Sequence, residues 1–518
     1  MKVRRVVVFA GAVWAASLGL VLRADHEPNS ASALRRGDSE RQLNETLVRV
    51  LRQHEFTGRI ESTLEPRLGR PINAVQANVG RLLFFDTVHS LHRDNTCAGC
   101  HSPTNGMGDT QSIAIGVDNN GLVGPNRTGA RNQRRSPMVI NAAFYPKLMW
   151  NGRFFANGLG DELGDPFQKN NGFQFPAPEA LTLSYHDHLL QAQAFIPPTE
   201  LVEVAGFTGT AGTIGELFDQ FDNGKGLPVP LPDDSGFRNH PIRMAALDVL
   251  NGIPGYRLAF RNAFPDIGPH DPITFDHVAR AIAEFEFTLT FANAPIDRFA
   301  RGSHDAMSAG EKRGALIFFG KGACVNCHAV KGKSNEMFSD FQNHVIGVPQ
   351  IAPHFGVNRS NMIFDGPGAD EDFGAMQISG DDADKYRFRT APLRNIAVQP
   401  AFFHNGSFTT IESAIRHHLD AARSARHYNP KKAGIDKDLA RRPMGPIEPV
   451  LERLDPLLAG GIGLSEGDIR DLTEFVTTGL LDERALADNL CSLVPAAVPS
   501  RLPVLTFEAC RGKKSGHR

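Results

Sequence analysis

The chain has 518 residues, which is enough for two or three ordinary domains. Its 55 basic and 57 acidic residues nearly cancel and give a formal net charge of −2. The sequence contains no long basic run that could bind a phosphate backbone, so we expect no nucleic-acid partner. A hydrophobic fraction of 41% is sufficient for a sizeable core, and 50 glycines and 34 prolines indicate long loops.

The N-terminus has the pattern of an export signal. The basic stretch MKVRR precedes an apolar run that ends at Leu22, and Ala24 offers a small residue for cleavage. We interpret residues 1–24 as a signal peptide. The alternative is an uncleaved anchor, because the apolar run nearly reaches the length that spans a bilayer. In both cases the folded part is expected in the periplasm.

The motif C-x-x-C-H occurs twice. The first copy is Cys97, Cys100 and His101, and the second is Cys324, Cys327 and His328. A zinc ribbon would bring both cysteine pairs within a few tens of residues, whereas these pairs lie more than two hundred residues apart. C-x-x-C-H is the attachment motif of haem c, since thiols one helical turn apart bond both vinyl groups and the next His reaches the iron. The pattern predicts two haems c.

The residues around these motifs indicate helices. G-x-L-[LI]-F-F occurs at 80–85, before the first motif, and again at 314–319, before the second. Capping-box spacing occurs at Ser308 and Glu311 and at Thr409 and Glu412. We predict a mainly α fold with two cytochrome c-like haem domains and long loops.

The expected domains are an N-terminal haem domain at 45–272, a C-terminal haem domain at 273–485 and a tail at 486–518. Cys491 and Cys510 are the two cysteines outside the haem motifs. In an exported chain they are a candidate disulfide, with two unpaired thiols as the alternative.

From about Val79 to Val476 the sequence resembles the bacterial di-haem cytochrome c peroxidases and their MauG-like relatives. The resemblance rests on GRLLFFDTVHS, CAGCHSP, RRSPMVINAAF, MWNGRF, IDRFARG, CVNCH and RFRTAPLRNIAVQPAFFHNGSFTTIESAI, in this order. It implies that His101 and His328 are the proximal iron ligands. It also implies that the first haem reacts with hydrogen peroxide and that the second receives electrons from a small cytochrome c or cupredoxin.

The resemblance further implies an acid–base glutamate six residues after a proline. In the stretch QAFIPPTELVEVAG, which begins at Gln193, the step from Pro197 selects Glu203. Glu200 is the alternative by proximity, and two surface acids on a loop are the plain structural interpretation. Cleavage of the O–O bond requires such a group, because a proton must move from the inner to the outer peroxide oxygen.

Two further roles follow from the resemblance. Met376, in a polar loop, is expected to be the sixth ligand of the second haem, and His/Met ligation would raise its reduction potential. In MauG-like relatives a tyrosine has this role, so Met376 favours a peroxidase. Trp150, in LMWNGRF, is expected to relay electrons between the haems, with a core tryptophan as the alternative.

Two positions depart from the family pattern. Ile115 lies where many small members carry a histidine that ligates the first iron, so we expect an open first haem without reductive activation. Arg135 lies where the family has a calcium-ligating asparagine. A guanidinium cannot ligate calcium, which prefers oxygen ligands, so calcium is doubtful.

The sequence therefore predicts a periplasmic di-haem cytochrome c peroxidase. One alternative is a MauG-like oxidase that acts on a protein or organic substrate. Another is a non-enzymatic di-haem electron carrier, which would need two six-coordinate irons. The sequence leaves the electron donor and a homodimer open.

Overall fold

A computed structural model describes residues 40–158, 163–168, 173–174, 186–353, 364–441 and 444–510. The expected signal segment at 1–24 lies outside these residues. Within the described ranges, every helix is too short or too polar to cross a lipid bilayer.

The described part of the chain is mainly helical, which confirms the predicted fold class. The α-helices are α1 Glu40–Gln53, α2 Leu64–Leu68, α3 Ala74–Phe85, α4 Cys97–Cys100, α5 Leu189–Gln193, α6 Glu216–Asp219, α7 Asn239–Asn251, α8 Pro254–Ala263, α9 Phe275–Phe287, α10 Pro295–Ala300, α11 Ala309–Phe319, α12 Met376–Ser379, α13 Ile411–Leu419, α14 Ala421–Arg426, α15 Pro430–Ala433, α16 Lys437–Ala440, α17 Glu448–Leu451, α18 Pro456–Ala459, α19 Glu466–Glu474 and α20 Ala487–Leu490.

The strands are only two or three residues long. They are β1 Leu122–Val123, β2 Lys147–Leu148, β3 Phe154–Ala156, β4 Phe173–Gln174, β5 Asn343–His344, β6 Phe388–Arg389 and β7 Thr506–Phe507. β1 pairs in parallel with β7, whereas β2, β3 and β4 form an antiparallel sheet and β5 pairs antiparallel with β6. These small ladders fasten loops rather than build a core.

Helix caps were predicted correctly at one site and one residue off at another. Ser308 caps α11, and its hydroxyl and the Glu311 side chain form the expected capping box. At α13 the N-cap is Thr410, which accepts a hydrogen bond from Ser413 N at 3.1 Å. The predicted cap, Thr409, instead donates its hydroxyl hydrogen bond to the carbonyl of Ala433. The last residue of α15 therefore accepts the hydrogen bond of the hydroxyl that the pattern assigned to the cap.

The repeated G-x-L-[LI]-F-F sequence positions both haem motifs in the same way. A Cβ atom added at Gly80 would lie 1.8 Å from the carbonyl oxygen of Ala281 in α9. One added at Gly314 would lie 2.0 Å from the carbonyl oxygen of Asp471 in α19. Each glycine thus lets two helix backbones touch directly.

The first and last described segments of the chain pack in different core clusters. Leu43, Leu47 and Leu51 of α1 belong to the buried cluster around α11, before the second haem motif. The tail returns to the first motif, where Phe507 contacts Phe85 with ring centroids 5.6 Å apart. The Cys491–Cys510 disulfide is present, as expected. Residues 40–56 and the tail therefore cross the simple division at 45–272 and 273–485.

Candidate haem-binding sites

The first C-x-x-C-H motif follows α3 and forms the single helical turn α4. Thr96 donates its hydroxyl hydrogen bond to Phe84 O at 2.9 Å, which ties the motif to α3. The Phe84 ring lies against His101, with ring centroids 6.3 Å apart. Burial lowers the pKa of His101 to about 4, so this imidazole is neutral at pH 7 and able to ligate a metal.

Asn95 links this motif to the segment that carries Glu203. Its side-chain amide donates to Glu203 O at 2.6 Å and lies 3.8 Å from the Sγ atom of Cys100. Ile115 is buried beside the motif, and its carbonyl oxygen lies 3.4 Å from Cys100 Sγ. The predicted acid–base segment and the predicted non-ligating residue therefore both meet at the first site.

Glu203 lies in a single turn of π-helix, Leu201–Ala205, a distortion that is frequent at functional sites. Burial and, to a smaller extent, the negative charge of Glu200 raise the pKa of Glu203 to about 7, and Arg153 opposes the shift. Glu200 itself forms an ion pair with Arg153 at 3.3 Å. The pKa of Glu203 therefore lies at the value where a carboxyl group both takes up and releases a proton at neutral pH.

Gln193 and Pro197 shape the chain before this turn. Gln193 ends α5, and its carbonyl oxygen accepts a hydrogen bond from Ile196 N at 3.1 Å. Pro197 opens a 3₁₀ turn in which its carbonyl accepts from Glu200 N at 3.2 Å. Their backbone contacts lead the chain directly into the π-turn.

The second C-x-x-C-H motif opens into a large cavity. Its lining includes the motif residues Cys324, Cys327 and His328, the aromatic residues Tyr145, Trp150, Phe318, Phe388, Phe402 and Phe403, the histidines His344, His404 and His418, and the arginines Arg135 and Arg389. Phe318 packs on His328 with ring centroids 6.4 Å apart, as Phe84 does on His101. The Nδ1 atom of His328 lies 3.0 Å from Phe338 O and, as the donor, leaves Nε2 free.

His418 faces His328 in this cavity, with ring centroids 6.3 Å apart. Metal–imidazole bonds of roughly 2.0–2.1 Å leave room for one metal ion between two rings at this separation. The Nδ1 atom of His418 lies 2.8 Å from Ala414 O, an arrangement that repeats the one at His328. A carbonyl that holds the second ring nitrogen is typical of ligating histidines. Burial lowers the pKa of both imidazoles, which keeps them in the neutral, ligating form.

Met376 is not among the residues that line this cavity. It begins the short helix α12, where its carbonyl accepts a hydrogen bond from Gly380 N at 2.9 Å. The structure thus brings His418 opposite His328, and the ligand role of Met376 stays a prediction. The sequence contains a pattern that indicates this helix face. The i, i+3, i+4, i+7 spacing of one face is followed by Ile411, Ala414, Ile415 and His418. All four residues line the cavity.

Trp150 lines the second cavity. Its indole N–H donates to Arg135 O at 2.9 Å, and its carbonyl accepts from Arg389 N at 2.8 Å. Val139, in the same segment as Arg135, donates to Met107 O at 3.1 Å in the loop after the first motif. The tryptophan is therefore fixed to segments that reach both motifs.

Arg135 occupies the position where the resemblance placed a calcium ligand. Its buried guanidinium donates to Gln399 Oε1 at 2.7 Å and to the carbonyl oxygen of Ala401. These are the kinds of oxygen atom that a calcium ion would use. Here they accept hydrogen bonds from an internal cation.

Two ionisable side chains at the first site gave no signal in the sequence. His89 is buried with its Nε2 atom 4.0 Å from Cys97 Sγ, and burial lowers its pKa to about 4. Glu286, in α9, is buried near the same cysteine, and burial raises its pKa to about 8. Within an amphipathic helix and a loop, such residues look like ordinary surface groups until the packing is known.

Comparison with known proteins agrees with this arrangement. The family model for di-haem cytochrome c peroxidases and MauG matches residues 74–305. This match covers 232 of the 518 residues and confirms the predicted resemblance to the bacterial di-haem cytochrome c peroxidase and MauG-like family.

Relatives of both kinds are similar to the chain. It is 25% identical over 361 residues to the methylamine utilization protein MauG of Methylorubrum extorquens, covering 70% of this chain and 73% of that protein. It is 26% identical over 347 residues to the cytochrome c551 peroxidase of Pseudomonas aeruginosa, covering 67% and 72%. A crystal structure of a MauG-like protein associated with microbial copper homeostasis has a TM-score of 0.51 and 21% identity, covering 82% of this chain and 92% of that one, and supports the fold alone.

The matched family implies two haems c, as predicted, and the side chains of this chain fit them. All four motif cysteines have free thiols, and each motif ends in a half-buried histidine whose lowered pKa keeps it neutral. At the second motif, both cysteines and His328 open into one cavity with mainly apolar walls. The haems would be held by Cys97, Cys100 and His101 at the first site, and by Cys324, Cys327, His328 and His418 at the second.

Proposed function

We propose that this haem-containing oxidoreductase reduces hydrogen peroxide to water at its first site, with electrons from a small cytochrome c or cupredoxin that arrive through the second site. The haems supply the redox chemistry. The observation that carries the proposal is the Glu203 carboxyl group, whose pKa is raised to about 7 beside the first C-x-x-C-H motif.

Glu203 is proposed to move the proton. As a carboxylate it accepts the proton from one peroxide oxygen, and as the acid it donates that proton to the other oxygen as the bond between them breaks. A carboxyl group with a pKa near neutrality performs both steps with little energetic cost. The ion pair of Glu200 with Arg153 keeps the neighbouring carboxylate engaged, which leaves Glu203 as the shuttle.

Ile115 supports an open first site. Its buried apolar side chain lies beside Cys100 and offers no ligand atom, so peroxide would react without prior reduction of the enzyme. His89 is the histidine that approaches the motif, and it lies at Cys97, on the thiol side. These contacts favour an enzyme over a pure electron carrier.

The second site is proposed to ligate its haem with His328 and His418. Trp150 would relay electrons from there, because its indole is fixed between segments that reach both motifs. An imidazole in place of a thioether lowers the potential of the second haem. We therefore expect an electron donor whose reduction potential is lower than that of a donor to a haem with His/Met ligation.

A MauG-like oxidase is the second candidate, and His418 is the observation that favours it. The argument for a peroxidase from Met376 no longer applies when an imidazole takes the sixth position. In such an enzyme, electrons would travel from a protein or organic substrate through Trp150 to the first site. We place the protein in the periplasm, because its N-terminal export pattern, its disulfide and its two haem-attachment motifs all suit that compartment.

Steady-state turnover with hydrogen peroxide and a panel of reduced cytochromes c and cupredoxins tests the proposal. The holoprotein should consume one peroxide for each two electrons taken from at least one donor. Haem content, measured by the pyridine haemochrome assay, should be two per chain. Rapid reaction of the oxidised enzyme with peroxide but no turnover with any donor would favour the MauG-like reaction, and no reaction with peroxide would contradict both.

A further inference from the structure

The wall of the second cavity carries fixed positive charge. The described residues that line it include two arginines, Arg135 and Arg389. They include histidines as well, but no aspartate or glutamate. His344, also in the lining, is held between Asp340 and Asp455 at 2.9 and 2.7 Å, so its own counter-charges are in place. An occupant of this cavity therefore meets two arginines without an opposing carboxylate in the wall.

Arg389 is the less satisfied of the two arginines. It is 4% exposed, and it donates from Nε to Met149 O at 3.0 Å and from Nη1 to Thr390 O at 3.1 Å. In the described part of the chain, no atom accepts a hydrogen bond from its Nη2, and no carboxylate lies within 4 Å of the guanidinium.

Two neighbouring arginines are paired with carboxylates. Arg134 binds Asp372 at 2.6 Å, and Arg394 binds Asp297 at 2.7 Å. Arg135 has no carboxylate partner, but its Nη1 and Nη2 atoms donate to Ala401 O and Gln399 Oε1. A buried charge without a counter-charge costs several kcal/mol, and proteins normally pair such groups or bring them to a ligand. The unused Nη2 of Arg389, at the edge of a cavity, therefore indicates an anionic ligand group.

Groups that lie near Arg389 are already engaged. The Tyr145 hydroxyl donates to Ile140 O at 2.9 Å, and Asp340 accepts from His344. Burial lowers the pKa of Arg389 to about 10, so the guanidinium stays charged at neutral pH. Neither neighbour neutralises it directly.

We propose that Arg389 binds a propionate carboxylate of the haem in the second cavity. This inference rests on the proposed assignment of that cavity to a haem held by His328 and His418. A guanidinium fork matches a carboxylate with two parallel hydrogen bonds. The main-chain N–H and the Nε atom of Arg389 already bind Trp150 O and Met149 O, so the same residue also fixes the relay segment against the cofactor.

The test compares Arg389→Gln, Arg389→Lys and Arg387→Gln in holoprotein from a maturation-competent host. Arg387 is a matched control, because it lies two residues away, donates to Ala383 O and Asn343 O, and does not line the cavity. Spectroelectrochemical titration should show a lower midpoint potential of the second haem in Arg389→Gln, since loss of a nearby positive charge favours the ferric state. The first haem should keep its midpoint, and Arg389→Lys and Arg387→Gln should stay close to the wild type.

An unchanged second midpoint in Arg389→Gln, or an equal shift in Arg387→Gln, would overturn the inference. Redox-difference infrared spectra give a second measurement if Arg389→Gln does not mature. In Arg389→Lys the carboxylate band of the second haem should move, and a spectrum identical to that of the wild type would also overturn the inference. Two other results would instead contradict the proposed function. One is a wild-type protein that contains a single haem, and the other is a second haem whose midpoint potential is unchanged when His418 is substituted.

Discussion

The two haem motifs share one scaffold and differ in the ionisable groups around them. In both, a glycine lets two helices touch and a phenylalanine packs on the motif histidine, at 6.3 Å for Phe84 and His101 and 6.4 Å for Phe318 and His328. Carboxyl groups with raised pKa values, Glu203 and Glu286, surround the first motif.

Around the second motif the cavity wall has histidines and arginines instead. A group whose pKa is near 7 exchanges protons at neutral pH, whereas a guanidinium keeps its charge. In the proposed function, the same backbone arrangement supports proton transfer at the first site and electron transfer at the second.

The largest expected effect is a loss of peroxide rate when the proposed proton shuttle at the first site is removed. Glu203→Gln should slow the peroxide step by roughly 10²–10⁴, the usual contribution of a general acid–base group. Stopped-flow mixing of the oxidised enzyme with peroxide measures this rate. Glu200→Gln is the matched control and should be much milder, because Glu200 is paired with Arg153. A large loss of peroxide rate in Glu200→Gln, with a nearly normal rate in Glu203→Gln, would make Glu200 the proton shuttle instead.

The pH dependence of the same step follows from the raised pKa of Glu203, about 7. The carboxylate form accepts the peroxide proton, so the rate should fall as the pH decreases through about 7, by about tenfold per unit when protonation alone limits it. Above pH 8 the rate should level off. In Glu203→Gln the remaining slow rate should be flat over this range, and a slope retained in that variant would mean that another group titrates.

The ligand assignment at the second site predicts a change in potential rather than in peroxide chemistry. His418→Met should raise the midpoint of the second haem, because a thioether favours the ferrous state more than an imidazole does. Axial ligands tune haem potentials over ~0.8 V, so the shift should be easy to resolve in a spectroelectrochemical titration. Met376→Leu is the control and should change neither the midpoint nor the spectrum. A sulfur-to-iron band in the wild type that Met376→Leu abolishes would restore Met376 as the ligand.

The smallest expected effect concerns the connection between the two sites. Trp150→Phe should slow electron transfer between the haems several-fold while both haems keep their spectra and midpoints. Single-turnover transfer after flash reduction of the second haem measures it. Tyr145→Phe, another aromatic change in the same wall, should leave the rate unaltered. Equal rates in the wild type and Trp150→Phe would remove the relay role.

Much of this protein was determined by the sequence alone, where the chemistry is local. Cys97, Cys100 and His101 lie within one helical turn, so their spacing is enough to predict a haem attachment site. The capping box of Ser308 and Glu311 is equally local. Cys491 and Cys510 are the two cysteines outside the haem-attachment motifs of a chain that we expect to be exported, and they form the expected disulfide.

The tertiary structure decided what depends on distant segments. His418 lies ninety residues after His328, and only the packing of α13 along the cavity brings the two rings together. The pKa of Glu203 is set by burial and by Glu200 and Arg153, which no spacing rule contains. A site's electrostatics depends on which groups are desolvated together, and desolvation is a property of the packed fold rather than of any one stretch of the chain.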